Sequence, residues 1–233
     1  MLEITKLNHY YGESHTLWDV DLLVPAGSCT CLMGRNGVGK TTLLKCIMGL
    51  LPLNSGKIGF NSKSLEDKTA EFRARNGIGY VPQGREIFGQ LTVEENLRIG
   101  LFSRKDGLGE IPEFIYKIFP VLKEMLHRRG GDLSGGQQQQ LAIGRALVID
   151  PKVLIVGQPT RGVDIGAIEF IHQRIIDMRD KGAAILLVSV ELDEILSLSD
   201  RIVVMFDGEL VGEKINDQVT DREVGLLMAG ITN

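Results

Sequence analysis

The amino-acid sequence predicts an α/β fold with a mostly parallel β-sheet at its core. Short apolar segments alternate with segments of helical spacing along much of the chain, which is typical of a sheet covered on both faces by helices. An apolar segment at 28–33 runs directly into a glycine-rich loop, and a helix rich in leucine and isoleucine follows that loop. The length of 233 residues fits one such domain that carries an inserted subdomain.

The first 83 residues are expected to form mainly strands. The segment 17–22 alternates between apolar and polar residues, and a turn at Pro25-Ala26-Gly27 follows it. We expect the strands before the glycine-rich loop to be antiparallel. The strand at 28–33 leads into the loop, a helix extends from about 40 to 49, and a short strand lies at 78–83.

The segment from about 84 to 132 is more charged and is predicted to be a mainly helical insertion. Helical spacing is present at 94–101 and 113–126, and Ser134 is expected to be the N-cap of a helix over 135–148. We therefore predict a single domain, 1–233. Its core consists of 1–83 and 151–233, and 84–150 forms an inserted helical subdomain.

After residue 150 the alternation of strands and helices returns. The patterns predict strands at 153–156 and 183–190, helices at 165–179 and 191–198, and a hairpin over 201–213 that turns at Asp207-Gly208.

Composition excludes several classes of function. The formal net charge is −4 and there is no basic tail, so nucleic acid is not an expected partner. No apolar run approaches the roughly 18–20 residues that a membrane-spanning helix needs. The start of the chain has no secretory signal, so we expect a cytoplasmic protein. Cys29 and Cys31 are expected to be buried thiols on one face of a strand, and together with Cys46 they offer no zinc-binding spacing.

The glycine-rich loop fits the pattern G-x-x-x-x-G-K-[ST] in full and in the required strand–loop–helix context. Its glycines let successive backbone N–H groups point at one phosphate, and the following helix presents its positive end there. Lys40 adds a positive charge for the β- and γ-phosphates, and Thr41 offers a hydroxyl group to Mg²⁺. The loop alone leaves kinase, GTPase and ATPase functions open. Its predicted nucleotide-binding residues are Gly34, Arg35, Asn36, Gly37, Val38, Gly39, Lys40, Thr41 and Thr42.

A second motif, Leu133-Ser134-Gly135-Gly136-Gln137, opens a predicted helix, where unpaired N–H groups favour an anion. The glycine-rich loop at 34–41, called the phosphate loop below, lies upstream of this motif. In this order, and through the whole stretch LSGGQQQQLAIGRAL at 133–147, the sequence resembles the nucleotide-binding domain of the ATP-binding cassette (ABC) family. This resemblance implies ATP and Mg²⁺ as ligands and domains that work in pairs. It also implies that residues 133–137, the signature turn, complete the ATP site of the partner domain.

The resemblance assigns three further residues. Tyr11, just before Gly12, would stack on adenine. Gln83 would sense Mg²⁺ and couple to the helical subdomain, and Asp164 would belong to the loop between the two subunits. Without the resemblance, Tyr11 would be a core or rim residue and Asp164 a helix N-cap.

The hydrolysis centre that the resemblance implies is incomplete. The family has Asp-Glu-Pro-Thr after the strand at 153–156, whereas this chain has Gly157-Gln158-Pro159-Thr160. Gly157 has no side chain to help hold Mg²⁺. Gln158, in the position of the general base, does not accept a proton at neutral pH. The family's γ-phosphate-sensing histidine is replaced by Val190.

No other acid is expected to substitute. Asp150 lies seven residues before Gly157, about 23 Å along a strand. Glu191 is expected to point away from the site, and Asp164 to face the partner. A general base is worth about 10²–10⁴ in rate, or roughly 3–5 kcal/mol. We therefore predict a site that binds ATP and hydrolyses it poorly or not at all.

The resemblance divides into two parts. Residues 1–147 are most similar to the urea and branched-chain amino-acid uptake ATPases, through GRNGVGKTTLLK and YVPQGREIFGQLTVEENL. From 151 onward, QPTRGVDIGAIEFIH and LLVSVELDEILSLSDRI are similar to the degenerate second cassette of sugar and nucleoside uptake ATPases. A composite (chimeric) chain is the favoured hypothesis, and a divergent natural homologue is the alternative.

The predicted function is that of an ATP-binding subunit of an importer, located on the inner face of the cell membrane. Its partners would be a second cassette, identical or different, and membrane-spanning subunits that dock near the helical insertion after Gln83. The alternatives are a non-hydrolytic ATP-gated dimerisation module, an engineered composite without a transport role, and a soluble ABC protein of repair or translation. A small-molecule P-loop kinase is disfavoured by the signature turn.

Overall fold

The computed structural model describes residues 1–104, 109–163, 165–216 and 220–231. The strands in these ranges are, in chain order, β1 (Leu2–Tyr11), β2 (Ser14–Val24), β3 (Ser28–Met33), β4 (Ser55–Phe60), β5 (Lys63–Ser64), β6 (Ile78–Val81), β7 (Val153–Gly157), β8 (Ala184–Val188), β9 (Arg201–Phe206) and β10 (Glu209–Ile215).

These strands form two sheets. The larger sheet has the order β10-β9-β3-β8-β7-β6, and all its neighbours are parallel except the hairpin of β9 and β10. The smaller sheet has the order β2-β1-β4-β5 and is antiparallel. The predicted fold class, a mostly parallel sheet with antiparallel N-terminal strands, is confirmed.

The helices cover both faces of the larger sheet, and most lie where the sequence predicts them. They are α1 (Lys40–Met48), α2 (Ala70–Arg75), α3 (Val93–Leu101), α4 (Glu113–Ile118), α5 (Pro120–Glu124), a short 3-10 helix (Gly130–Asp132), α6 (Gly135–Leu147), α7 (Ile165–Asp180), α8 (Leu192–Leu198) and α9 (Asp221–Met228). Within the described residues, none of these helices combines the length and apolarity that crossing a bilayer requires.

The structure differs from the predicted elements at three points. The helix expected over 113–126 is interrupted at Phe119, because Pro120 begins a new helix and Phe119 leaves the helical region with φ −126° and ψ 75°. The strand expected to reach residue 190 ends at Val188. The sequence reading did not predict α2, α9, β4 or β5, which are short elements.

Two apolar cores lie on opposite faces of the larger sheet. One packs α3, α6 and α7 against the sheet, and the other encloses α1 beneath the smaller sheet. Cys29 and Cys31 lie in the first core and the intervening Thr30 faces the other way, as the alternation of the strand requires. Burial, with a smaller contribution from Asp200, raises the pKa of Cys29 to about 12, so this thiol is unreactive at neutral pH.

The topology gathers the candidate site at one edge of the larger sheet. Strands β3, β6, β7 and β8 are parallel and end at the same edge. The loops that follow them, at 34–39, 82–85, 157–163 and 189–191, therefore meet there.

Candidate functional site

The phosphate loop, 34–41, has three glycines with positive φ, Gly34, Gly37 and Gly39, and at two of them the packing also excludes a Cβ. Gly34 has φ +146°, and a Cβ there would lie 2.3 Å from the carbonyl oxygen of Met205. Gly39, with φ +109°, precedes α1, and its Cβ would lie 2.9 Å from Leu17 Cδ2. The loop thus fits tightly between β2 and β9. Arg35, Asn36 and Gly37 are exposed at its crest, Val38 is half-buried and Thr42 is buried in α1.

Lys40 folds back over this loop. Its Nζ donates hydrogen bonds to the carbonyl oxygens of Gly34 and Arg35, both at 2.7 Å. Burial lowers the pKa of Lys40. The ammonium group therefore lies beside the loop amides, where it can exchange carbonyl partners for phosphate oxygens.

Thr41 and Gln83 bring two oxygen atoms together beside the loop. Thr41 Oγ1 and Gln83 Oε1 are 3.5 Å apart, and both residues are exposed. Hydroxyl and amide oxygens are hard donors of the kind that Mg²⁺ accepts, alongside phosphate oxygens and water. The two predicted metal ligands therefore lie close enough together to serve one ion.

A cavity of about 250 Å³ adjoins the phosphate loop. It brings together residues from the four loops at the sheet edge, including the predicted positions Gln158 and Val190. The residues that line it are Asn36, Gln83, Gln158, Thr160, Arg161, Ser189, Val190, Glu191 and Glu194.

A constrained glutamine lies at the position that the family resemblance predicts for the general base. Gln158 is buried and has φ +50°, and its backbone N–H donates to the carbonyl oxygen of Val188 at 2.7 Å. Its side-chain Oε1 accepts a hydrogen bond from Nη1 of Arg161 at 2.9 Å. Before it, Gly157 leaves little room, because a Cβ there would lie 3.1 Å from the backbone N of Gln83.

The structure corrects the expectation for Glu191. The strand ends at Val188 rather than Val190, so the chain has left the β alternation before Glu191, which lies on the cavity wall rather than pointing away. Val190, in the position of the sensing histidine, is 45% exposed beside it. The alternation rule failed here because it applies only while the backbone remains extended.

Sequence reasoning also missed Glu194, a buried acid on the same wall. Its side chain is only 3% exposed, and its Oε1 accepts a hydrogen bond from Thr160 Oγ1 at 2.6 Å. His172 Nε2 lies 3.4 Å from the same oxygen, whereas Oε2 has no hydrogen-bond partner among the described residues. The available signal was the spacing of three between Glu191 and Glu194 at the start of a helix, which places both on one side.

The signature turn forms the capped helix start that the sequence predicts. Ser134 Oγ accepts from the backbone N–H of Gln137 at 3.3 Å, and Gln137 Oε1 accepts from the N–H of Ser134 at 2.9 Å. Leu133 and Gly136 are buried, and Ser134 is exposed at the helix start. None of the residues of this turn, Gly135 included, lines the cavity described above.

Tyr11 lies at the end of β1, 50% exposed and edge-to-face with His9 at a centroid distance of 4.8 Å. The neighbouring β2 contacts the phosphate loop through Gly208, whose N–H donates to Val38 and whose carbonyl accepts from Trp18, both at 3.0 Å. An exposed aromatic face is thus available at this end of the smaller sheet.

Asp164 lies outside the described residues.

Comparison with known proteins agrees with this architecture. The family profile described as ABC transporter matches residues 17–161. The chain is 38% identical over 212 residues to the high-affinity branched-chain amino acid transport ATP-binding protein BraG of Pseudomonas aeruginosa, covering 91% of each chain. It is also 38% identical over 232 residues to the guanosine import ATP-binding protein NupO of Bacillus subtilis, covering 93% of this chain and 45% of NupO. The chain therefore spans about half the length of this nucleoside relative.

Among solved structures, the fold matches a dimeric, post-hydrolysis ATP-binding cassette, MJ0796, bound to ADP and Pi. The TM-score is 0.83 and the identity 25%, over 93% of this chain and 99% of that one. The profile match and the alignment over nine tenths of BraG agree with the phosphate loop and the signature turn. The chain belongs to the ABC transporter family, and its relatives are ATP-binding subunits of branched-chain amino-acid and nucleoside import systems.

Proposed function

We propose that this protein is the ATP-binding subunit of an ABC importer whose own site binds ATP but hydrolyses it slowly or not at all. One observation carries the proposal: a complete phosphate loop adjoins a cavity in which Gln158, hydrogen-bonded to Arg161, occupies the general-base position.

ATP binding is supported by the loop and its lysine. The backbone amides of 34–39 would hold the phosphates, and Lys40 would move its ammonium hydrogen bonds from two carbonyl oxygens to phosphate oxygens. Tyr11, half exposed at the end of β1, would stack on the adenine ring. These contacts do not require a catalytic base, so binding survives where hydrolysis does not.

Thr41 and Gln83 would hold Mg²⁺ together with phosphate oxygens. Bound there, the ion would neutralise part of the charge on the β- and γ-phosphates. The ion usually keeps several water ligands, so two protein oxygens suit it. Gly157 offers no carboxylate nearby, and we therefore expect weak retention of the metal between nucleotide-binding events.

Impaired hydrolysis follows from the chemistry of the cavity. A water molecule that attacks the γ-phosphate must give up a proton, and Gln158 can orient that water but cannot take the proton. The loss of a positioned base lowers rates by about 10²–10⁴. Arg161 adds a positive charge to the same wall, which favours retention of the intact triphosphate.

Glu191 and Glu194 are the acids that could take over the role of the base. Glu194 is bound through one oxygen by Thr160 and His172 and is therefore constrained. Glu191 is exposed at the start of α8. Our proposal assigns neither of them a catalytic role, and their removal is part of the test below.

The expected partners are a second cassette and membrane-spanning subunits. The exposed start of α6 supports a role for the signature turn in completing the partner's ATP site. Asp164 would belong to the same interface. Membrane subunits would dock near the helical insertion after Gln83, whereas the signature turn and the core of 1–83 and 151–233 would face the partner. In this arrangement the protein would lie on the inner face of the cell membrane.

A composite origin of the chain remains a hypothesis. The branched-chain amino-acid relative BraG aligns over 91% of the chain and the nucleoside relative NupO over 93%. A divergent natural homologue would also align with both relatives over most of its length. Separate alignment of 1–147 and 151–233 distinguishes the two origins. Halves that favour different branches support the composite, and equal similarity of both halves to one branch contradicts it.

The test combines ATP binding with phosphate release. We expect the purified chain to bind radiolabelled ATP in equilibrium dialysis and to dimerise with it in sedimentation equilibrium. The Lys40→Ala variant is the control that should do neither. Glu191→Gln and Glu194→Gln should leave phosphate release unchanged. A wild-type rate of about 1 s⁻¹ or faster, lost in Lys40→Ala, would contradict the proposal, and its additional loss in Glu191→Gln would identify that residue as the base.

A further inference from the structure

Arg85 lies two residues after Gln83, and its guanidinium group lies between the start of α6 and the loop that follows β7. Nη1 donates to Gln138 Oε1 and Nη2 donates to the carbonyl oxygen of Arg161, both at 3.4 Å. One side chain therefore contacts α6, the signature helix that follows the signature turn, and the loop that borders the cavity beside the phosphate loop, which is called the nucleotide cavity here.

Two glycines make room for this guanidinium group. A Cβ at Gly135, the first residue of α6, would lie 3.2 Å from Arg85 Nη2. A Cβ at Gly162 would lie only 2.9 Å from the same atom. A larger residue at either position would displace the guanidinium group, which packs against the backbone on both sides.

The backbone of the arginine is held as firmly as its side chain. Arg85 has φ +65° and Glu86 has φ +47°, a left-handed conformation that residues other than glycine rarely adopt. Arg145 on α6 donates to the carbonyl oxygens of both residues, at 3.4 Å and 2.8 Å. The loop after Gln83 is thus fixed to α6 from two directions.

The contacts continue into the nucleotide cavity. Arg161, whose carbonyl oxygen accepts from Arg85, donates through its own Nη1 to Gln158. A connected series of side chains therefore leads from Gln158, through Arg161 and Arg85, to Gln138 on the signature helix.

We propose that Arg85 is a positioning residue that fixes the signature turn relative to the loop bordering this chain's own nucleotide cavity. A change at 158–162 on nucleotide binding is then passed to Ser134–Gly136, the turn assigned to the partner's triphosphate. This inference rests on the proposed function for the role of the turn. We expect that a lysine does not replace the arginine, because Gln138 and Arg161 are contacted by two different nitrogens of a planar fork that a single ammonium nitrogen lacks.

The first test is hydrogen exchange on the nucleotide-free chain, which does not depend on dimerisation. In Arg85→Ala, the amides at 134–138 should exchange about fivefold faster or more, with α1 unchanged, because the start of α6 loses its connection to the second loop. The matched control is Arg75→Ala, which removes an exposed ion pair with Glu71 on α2. Exchange at 134–138 that matches the wild type would overturn the proposal.

The second test separates ATP affinity from ATP-driven dimerisation. Arg85→Ala should weaken the dimer about five- to tenfold while ATP affinity stays within about twofold. Arg85→Lys should not rescue the dimer, and Gln138→Leu combined with Arg85→Ala should be less than additive. A parallel fall in ATP affinity, melting temperature and dimerisation would reduce Arg85 to a merely structural role. If ATP fails to dimerise the wild type, a homodimeric form of the proposed function fails, and hydrogen exchange on the nucleotide-free chain still decides the role of Arg85.

Discussion

Arg161 donates a hydrogen bond from Nη1 to Oε1 of Gln158 at 2.9 Å, which places a guanidinium group against the residue predicted to lie in the general-base position. The sequence identifies the missing carboxylate but not this neighbour. Restoring the carboxylate alone would therefore create an ion pair rather than a free base.

The first prediction concerns this pair. Gln158→Glu alone should raise phosphate release less than tenfold, because Arg161 would lower the pKa of the introduced carboxylate and hold it as an ion pair, as expected within about 4–6 Å. Gln158→Glu with Arg161→Gln should raise release further, toward the factor of about 10²–10⁴ that a free base contributes. Steady-state phosphate release at saturating ATP measures both variants.

The control for this comparison is Arg161→Gln in a chain that keeps Gln158, and it should leave phosphate release at the wild-type level. Equal rates for the single and the double variant would show that Arg161 does not restrain the carboxylate. Full activity of Gln158→Glu alone would show the same.

The second prediction concerns Gly157. A side chain there meets the backbone of Gln83, with 3.1 Å from its Cβ to N and 3.3 Å to Cα. Gly157→Asp should therefore lower the free energy of unfolding by about 1–3 kcal/mol while increasing affinity for Mg²⁺ in the presence of ATP. Urea unfolding and a magnesium titration of ATP binding measure the two effects.

Gly157→Ala separates crowding from metal binding. It should be destabilised to a similar extent without any gain in Mg²⁺ affinity. A higher Mg²⁺ affinity in Gly157→Ala, or an unchanged Mg²⁺ affinity in Gly157→Asp, would indicate that the introduced carboxylate does not reach the metal position.

The third prediction concerns Lys40 and pH. Burial lowers the pKa of its ammonium group in the free protein, and phosphate oxygens would raise that pKa again. ATP binding should then take up a proton in the alkaline range between the lowered and the raised pKa, and affinity should fall as pH rises through the lowered value. Calorimetry in two buffers of different ionisation enthalpy measures the uptake. Lys45→Ala should retain the uptake and Lys40→Arg should lose it; retention in Lys40→Arg would assign the proton to another group.

The fourth prediction concerns Arg73, which caps the end of α1, the helix that follows the glycine-rich loop. Its guanidinium group is buried and donates to four backbone carbonyl oxygens, those of Cys46 (2.8 Å), Ile47 (2.7 Å), Leu65 (2.6 Å) and Lys68 (3.0 Å). Arg73→Met should lower the free energy of unfolding by about 3–5 kcal/mol, because four buried hydrogen bonds are lost. Among the described residues, the carbonyl oxygens of Cys46 and Leu65 keep only the backbone N–H groups of Gly49 and Lys68.

The exposed Arg75→Ala is the matched control and should change the free energy of unfolding by less than about 0.5 kcal/mol. Urea unfolding followed by circular dichroism measures both variants. Equal stability of Arg73→Met and wild type would mean that solvent or a rearranged side chain satisfies the same carbonyls.

Local pattern predicts most of the fold because the strongest elements agree with their tertiary environment. The strand over 28–33, the phosphate loop and the helix that begins at residue 135 were predicted almost to their ends, since alternation, glycine pattern and capping all act within a few residues. Glu191 was misplaced because the end of β8 depends on where the chain turns away from its neighbours. The role of Arg85 could not be found from the sequence, because its hydrogen-bond partners, Gln138 and Arg161, lie 53 and 76 residues away. The role of Arg161 could not be found because its contact with Gln158 depends on the left-handed backbone conformation of that glutamine.

The most direct measurement of the central claim is the chemical state of bound nucleotide over time. Purified protein is saturated with radiolabelled ATP and Mg²⁺, quenched with acid at intervals from seconds to an hour, and the nucleotide is separated by chromatography. We predict that the bound nucleotide remains ATP and that phosphate does not rise above the level of Lys40→Ala. Rapid conversion of bound ATP to ADP in the wild type, absent from Lys40→Ala, would contradict the account.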